Sequence, residues 1–303
     1  MNNLTLKYAS CYGEVLWDNL PSGPRVGGAP LNVCYHLEKC GISTAIISQV
    51  GADPSGKKLQ DALQELGVNT AYCTTDSQHP TSSVEVEFTS HGDVTYDIVR
   101  NVAWDYISYQ EEVAQYVRQS EVFVFGSLGA RNTVSYTTLL AYLAVANWVV
   151  MDINLRAPHY EAAKMVTLLK YCATLKLNYE ELFVVAEWSA IAGKDEYALM
   201  EALFVIYPNL TEIILTKGAE GAIYLSREER YSVAALPITV GDTIGSGDSF
   251  LAAFIAGKLS GKKIPICLEE AASLSAYVAS QEGACPAYTA ETISAFKAQF
   301  TGK

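Results

Sequence analysis

The chain has 303 residues, half of them hydrophobic and 11% aromatic, and 33 acidic against 21 basic side chains give a net charge of -12. That much apolar material builds a core and excludes a disordered chain, and the length suits one α/β body. The negative charge argues against nucleic acid or an anionic membrane as a partner, but not against a small phosphate ligand, which backbone amides in one cleft bind whatever the overall charge.

Taken from the N-terminus, MNNLTLKYASCYGEVLW joins no basic leader to an apolar run, and no segment reaches about 18 uninterrupted apolar residues, so a cytoplasmic protein is expected. In Gly13-Glu14-Val15-Leu16-Trp17-Asp18, the aspartate reads either as a solvated loop residue or as an acceptor for two adjacent hydroxyls. Gly27-Gly28-Ala29-Pro30-Leu31-Asn32 then leads into a helix opened by Pro30. On one reading it is an ordinary loop. On the other, the glycine pair lets the backbone approach a polyhydroxylated ligand, and Asn32 offers both donor and acceptor.

The run Thr44 to Val50 predicts a strand, and Lys57 to Leu66 an amphipathic helix. Between them, Gly51-Ala52-Asp53-Pro54-Ser55-Gly56-Lys57-Lys58 almost meets P-loop spacing. A P-loop needs Ser or Thr where Lys58 stands, to ligate magnesium, so a strand-to-helix turn capped by Asp53 is expected instead. The alternating Ser83 to Phe88, the turn Ser90-His91-Gly92-Asp93 and the β-prone Val94 to Val99 predict a hairpin with one wet face. It reads as a lid, paired with a strand near Tyr12 to Trp17, so that segments of about 12–26 and 83–100 form it. Further strands are predicted at Glu121 to Phe125, Trp148 to Ile153, Thr174 to Leu177 and Glu212 to Thr216, with a helix at Tyr160 to Tyr171. This alternation predicts an α/β fold, its sheet mostly parallel and covered by helices on both faces.

The strongest local signal is Gly241-Asp242-Thr243-Ile244-Gly245-Ser246-Gly247-Asp248-Ser249-Phe250, running into the helical pattern Leu251 to Gly257. Gly245, Ser246 and Gly247 let backbone N–H groups converge at a helix start, which makes an anion hole. Asp248 is either the N-cap of that helix or a base beside the hole, taking the proton of an attacking hydroxyl while the amides stabilise a transferring phosphoryl group. A dinucleotide fingerprint is not supported, because Phe250 stands where its third glycine belongs.

In this order, Gly-Glu-x-x-x-Asp, Gly-Gly-Ala-Pro-x-Asn and Asp-Thr-x-Gly-x-Gly-Asp resemble the motifs of the ribokinase or phosphofructokinase-B carbohydrate kinases, across most of the chain. Asp152-Ile153-Asn154-Leu155-Arg156 is similar to the Asp-x-Asn-x-Arg of the family's fructokinases. Lys176-Leu177-Asn178-Tyr179-Glu180-Glu181 contains its Asn-x-x-Glu, and Thr216-Lys217-Gly218-Ala219-Glu220-Gly221-Ala222 looks like its nucleotide-side loop. The resemblance implies a ribokinase-like, doubly wound sheet with a small β-lid, sugar beneath the lid and ATP across the carboxyl ends of the strands. Asp248 then matches the base, Gly245, Ser246 and Gly247 the anion hole, and Asp18, Gly27, Gly28, Asn32 and Arg156 the sugar side. Asn178 and Glu181 match the pair that organises magnesium through water, while Thr216, Gly218, Gly221 and Gly247 match the ATP side. Asp242 and Gly283 fall where the family binds a monovalent cation such as potassium. Ser246 departs from the usual alanine without removing a backbone donor.

The implied reaction is transfer of the γ-phosphoryl group of MgATP to a small sugar, with fructose the leading substrate. Ribose, 2-keto-3-deoxygluconate, a nucleoside or a sugar phosphate are alternatives, and Arg156, Arg100 and Arg25 are the cations an acidic substrate would need. A non-catalytic sugar- or nucleotide-binding protein is the rival class. A homodimer through the lid is expected from the family. Cysteines 11, 34, 40, 73, 172, 267 and 285 include no CxxC and read as reduced, mostly buried thiols. His36, His79, His91 and His159 lack metal-ligand spacing and receive no role, and the 19 tyrosines form no stacking motif.

Overall fold

Every residue of Val122–Gly126 is buried, and alternate side chains leave on opposite faces, as a pleated strand requires. Phe123 and Phe125 enter one hydrophobic core, Val122 and Val124 another. A strand buried on both faces belongs to the middle of a sheet that helices cover twice.

In the computed structural model, residues 7–20, 23–88 and 94–300 are described. The strands are β1 (Tyr8–Tyr12), β2 (Leu16–Leu20), β3 (Gly23–Gly27), β4 (Ser43–Gly51), β5 (Cys73–Asp76), β6 (Ser83–Phe88), β7 (Val94–Ile98), β8 (Val122–Gly126), β9 (Trp148–Asp152), β10 (Thr174–Asn178), β11 (Glu212–Thr216), β12 (Ala222–Ser226) and β13 (Arg230–Val233). The helices are α1 (Ala29–Lys39), α2 (Pro54–Glu65), α3 (Glu111–Gln119), α4 (Thr133–Leu143), α5 (Ala162–Leu169), α6 (Tyr179–Trp188), α7 (Glu196–Ile206), α8 (Ser246–Leu259), α9 (Ile264–Ala279) and α10 (Ala290–Ala298).

Nine strands form one sheet in the order β13-β12-β11-β10-β9-β8-β1-β4-β5, parallel from β5 to β11 and antiparallel at the β12–β13 edge. Side chains of α3 to α7 pack into the core that holds Phe123, and those of α1, α2, α8 and α9 into the core that holds Val124. Strand order reverses between β1 and β8, and in such sheets ligands bind outside the carboxyl ends of the strands near that switch. The loop Gly13–Val15 leaves β1 there.

A second sheet, β3-β2-β6-β7, is the lid. The expected β6–β7 hairpin is antiparallel, Val84 opposite Ile98 and Phe88 opposite Val94, and the turn at 89–93, with His91, lies outside the described residues. Of the expected partner segment near Tyr12 to Trp17, Trp17 does pair with Ser83 of β6, whereas Tyr12 does not belong to the lid. Tyr12 ends β1 of the central sheet, fully buried, with its hydroxyl donating to Ser135 O at 2.7 Å. The lid strands are β2 and β3, and β2 meets β6 in parallel. Burial of an aromatic ring is worth about 1.5–3 kcal/mol, which holds Tyr12 in the body. The decoy loop is a strand-to-helix turn, as expected: the Asp53 carboxylate accepts from Gly56 N at 2.7 Å at the start of α2.

The exit of the lid is rooted by a buried ion pair that the sequence reading missed. Arg131 donates from Nε to Asp105 Oδ1 at 2.6 Å and from Nη2 to Oδ2 at 2.8 Å, lies 4.0 Å above the Trp104 ring, and also donates to the carbonyls of Ile98 and Val99 at 3.3 and 2.5 Å. Asp105→Asn leaves a buried guanidinium uncompensated and is expected to cost ~3–5 kcal/mol, read by urea denaturation. A loss below ~1 kcal/mol would show that solvent reaches this pair.

Candidate active site

The N-cap of α8 is Gly245, in the left-handed region at φ 75°, and Asp248 is the third helical residue. Sequence reading had left Asp248 open between N-cap and base; its place inside the helix removes the first option. Its carboxylate is buried and accepts from Asn32 Nδ2 at 2.8 Å. Asn32 stands in the first turn of α1, after Gly28 has brought the chain in at φ 123°. Two helices entering from opposite ends of the sequence thus fix Asp248 and Asn32 against one another, 216 residues apart.

Burial pushes the Asp248 carboxyl up to about 6, reinforced by repulsion from Asp152 and opposed by Lys176, Asn32 and Arg156. Lys176, also buried, donates to Asp152 Oδ2 at 2.6 Å. Burial disfavours its charge, yet Asp152 and Asp248 outweigh that and raise its affinity for the proton. A Cβ placed on Gly247 would stand 3.2 Å from Lys176 Nζ, so the ammonium lies against the anion hole. Lys176 escaped the sequence reading, although a lysine between Leu175 and Leu177 in an apolar strand is a signal: both neighbours face one core, so Lys176 faces the other.

Burial also lifts Glu14 to about 7 and Asp18 to about 6. Glu14 Oε1 accepts from Ala29 N at 3.1 Å, and Asp18 packs on Gly27 across the β2–β3 pair. Arg156, exposed, favours the charged forms of Glu14, Asp18 and Asp248 alike. The other candidate cations are held elsewhere: Arg25 pairs with Glu282 at 2.5 Å, and Arg100 donates to Pro158 O at 3.2 Å. A side chain at Gly28 would collide with the carbonyl of Glu14. Gly28→Ala is expected to cost ~1–3 kcal/mol through strain at positive φ and to raise KM for the sugar, as steady-state kinetics and denaturation would show.

On the other side of Gly247 lies a cavity of about 980 Å³. Asn178, Thr216, Gly218, Gly221, Ser246 and Gly247, all chosen from the sequence, line it. Its volume suits a nucleotide, and Ala235, Pro237, Ile238 and Ala276 provide an apolar end for a flat base. Asn178 and Glu181 form a reciprocal capping box at the start of α6, Asn178 Oδ1 accepting from Glu181 N at 2.9 Å and Glu181 Oε2 from Asn178 N at 2.8 Å. Glu181 Oε1 accepts from Leu155 N at 2.7 Å. With both carboxylate oxygens committed to amides, Glu181 suits a hydrated magnesium ion better than direct ligation. Among the described residues, no three His, Cys, Asp or Glu groups converge on a metal. Asp152 Oδ1, buried and without a partner, is a further acceptor for metal-bound water beside Asp248. Asp242 accepts from Ile244 N at 3.0 Å and Gly283 N at 3.2 Å, which brings the two candidate cation residues together.

A buried carboxylate hydrogen-bonded to an asparagine, one residue from a glycine-containing helix start that lines a nucleotide-sized cavity, is an arrangement suited to phosphoryl transfer to a hydroxyl. The sequence matches the pfkB family of carbohydrate kinases over residues 8–291, and the chain belongs to that family. Among curated relatives, it is 25% identical to a probable chloroplastic fructokinase-6 of Arabidopsis thaliana, over 82% of this chain and 69% of that protein. It is likewise 25% identical to a fructokinase of Escherichia coli, over 81% and 82% of the two chains. Solved structures with the same fold include the fructokinase of Xylella fastidiosa with bound ATP, at a TM-score of 0.82 and 20% identity over 96% and 98% of the chains. A fructokinase double mutant from Vibrio cholerae O395, with fructose, ADP and potassium bound, gives a TM-score of 0.79 and 21% identity over 96% and 98%. The protein is a carbohydrate kinase.

Proposed function

We propose that the enzyme transfers the γ-phosphoryl group of MgATP to a hydroxyl of fructose. The observation that carries this reading is the seam at residues 247 and 248, where Gly247 lines the nucleotide cavity and Asp248 faces Asn32 on the sugar side. Asp248 takes the proton of the attacking hydroxyl, and the N–H groups of the 245–247 turn, with the α8 dipole, hold the phosphoryl charge. Magnesium, when bound with ATP, neutralises charge between the β- and γ-phosphates, and Asn178 and Glu181 hold its water shell. Asp18, Gly28 and Asn32 orient the sugar. The lid strands, with Arg25 on β3 paired to Glu282 of the body, keep water away from the transfer.

Fructose is favoured because the relatives are named fructokinases and because Glu14, Asp18 and Asp248 gather against the single guanidinium of Arg156, a balance that suits an uncharged acceptor. Asp242 and Gly283 are proposed to flank a potassium ion, a reading supported by the potassium bound in the structurally similar Vibrio cholerae fructokinase. A cytoplasmic location suits seven free thiols, which an oxidising compartment would not preserve. Homodimerisation through the lid is also proposed, since β3 and β7 are its open edges.

The test is magnesium-dependent ADP release over fructose, ribose, 2-keto-3-deoxygluconate, a nucleoside and fructose 6-phosphate, with and without potassium. Saturable turnover on fructose, enhanced by potassium, is the expected result. Turnover only on an acidic sugar would overturn the substrate, and ATP binding without turnover on any sugar would favour a non-catalytic binding protein. Light scattering of the same sample reads the dimer.

A further inference from the structure

His36 is a buried histidine that this chemistry does not use. It lies one helical turn beyond Asn32 on α1, so both side chains leave the same face of the helix. Its Nε2 is 2.9 Å from the carbonyl oxygen of Ala284, and its Nδ1 is 2.8 Å from the Tyr288 hydroxyl. A carbonyl only accepts, so Nε2 carries the proton and Nδ1 accepts from Tyr288. The two rings stack, 5.7 Å between centroids at 18°. Next to them the Tyr35 hydroxyl donates to Pro286 O at 2.8 Å. Residues 284–288 are therefore fastened to α1 by four hydrogen bonds, the fourth from the Cys285 thiol to Asn32.

That segment touches the reacting centre twice. Ala284 presses on Gly245 so closely that a Cβ there would stand 2.6 Å from its methyl and 2.7 Å from its Cα. Cys285 Sγ lies 3.5 Å from Asn32 Oδ1, on the same amide group whose nitrogen holds Asp248. Asp248 and the 245–247 turn are consecutive at the start of α8, and this segment packs between that helix start and α1, held in part by the His36 to Ala284 hydrogen bond.

We infer that His36 is a positioning residue for phosphoryl transfer: by donating from Nε2 to Ala284 O, it sets the 283–286 segment between α1 and Gly245, and so how Asn32 meets the Asp248 side chain and how the 245–247 turn is supported. The inference rests on residues 245–248 being the reacting centre. Ala284 is not among the residues lining the nucleotide cavity, so a shift there is expected to act on the transfer step more than on nucleotide affinity.

The experiment compares His36→Leu, His36→Gln and Tyr288→Phe in steady-state kinetics on the best sugar, with circular dichroism and ATP binding on each. His36→Leu is expected to lose kcat ~10–100-fold with KM for MgATP within about twofold, because sub-ångström misplacement acts on the transition state. His36→Gln, whose amide nitrogen reaches the place of Nε2, is expected to recover most of that loss. Tyr288→Phe removes only the hydroxyl that fixes the tautomer, and should lower kcat ~3–10-fold while remaining folded. Wild-type kcat in folded His36→Leu, or in Tyr288→Phe should the leucine variant not fold, overturns the inference while leaving the kinase intact. Equal losses in the Gln and Leu variants also overturn it. A wild-type enzyme silent on every sugar removes the kinase reading and this inference with it.

Discussion

Asp248→Asn is expected to lower kcat for sugar phosphorylation by ~10²–10⁴-fold, the usual contribution of a positioned general base. Asparagine keeps the size of the side chain and its contact with Asn32 but cannot take a proton. Asp248 is not among the residues lining the nucleotide cavity, so MgATP should still bind with nearly unchanged affinity, measured by calorimetry. The same carboxylate dictates a pH dependence. Burial first, and Asp152 second, hold its proton on until about pH 6, and only the ionised form is a base. The value of kcat/KM for the sugar is expected to be level above that pH and to fall about tenfold per unit well below it, because kcat/KM reports groups of the free enzyme. Turnover by Asp248→Asn within threefold of wild type would mean that the attacking hydroxyl loses its proton elsewhere.

Lys176→Met should have the second-largest effect, on activity and stability together. The ammonium is the buried positive charge shared by Asp152 and Asp248, and it lies against Gly247 of the anion hole. Without it the Asp248 proton is held more tightly, the acid limb of kcat/KM moves to higher pH, and kcat at neutral pH is expected to fall ~10²–10³-fold, the scale of losing one group that stabilises transition-state charge. Asp152 is meanwhile left charged and buried, at a cost of ~3–5 kcal/mol. The double variant Asp152→Asn/Lys176→Met separates the two consequences: stability in urea should largely return, since no unpaired ion remains, whereas kcat should stay low. Recovery of both would make Lys176 a partner of Asp152 and nothing more.

How much of this was legible beforehand differs from one element to the next. The Asp53 turn was read correctly because its cap and its glycine are neighbours in sequence, so that local chemistry decides the structure. The hairpin of β6 and β7 followed from alternation and the turn residues between the strands, while its register, Val84 opposite Ile98, came from the structure. The lid's other half was misplaced by a few residues. Tyr12 is as β-prone as Trp17, and only its burial in the body, with its hydroxyl on Ser135 far along the chain, separates the two. The β12–β13 edge and β1 went unread for the same reason: short strands declare themselves through their partners.

The site divides along the same line. Local chemistry marked Gly245 to Asp248 and Asn32, because a turn that presents amides at a helix start is a local object, while Asn178, Glu181 and the Thr216 to Gly221 loop were marked by the family resemblance. That Asp248 does not cap the helix but meets Asn32 was not local: it follows from Gly245 taking the N-cap of α8 and from Asn32 arriving on another helix. Lys176, the Arg131–Asp105 root of the lid and the His36 brace lie in the same class, invisible as spacing because each exists only where distant segments meet. The sequence by itself determined the α/β alternation, the two-faced core and the chemistry available at each loop, since these follow from periodicity and backbone freedom over a few residues. Only the tertiary structure decided which charges face one another in the dark interior. Burial there moves protons on Asp248, Glu14 and Asp18 by amounts that no property of the isolated side chains contains.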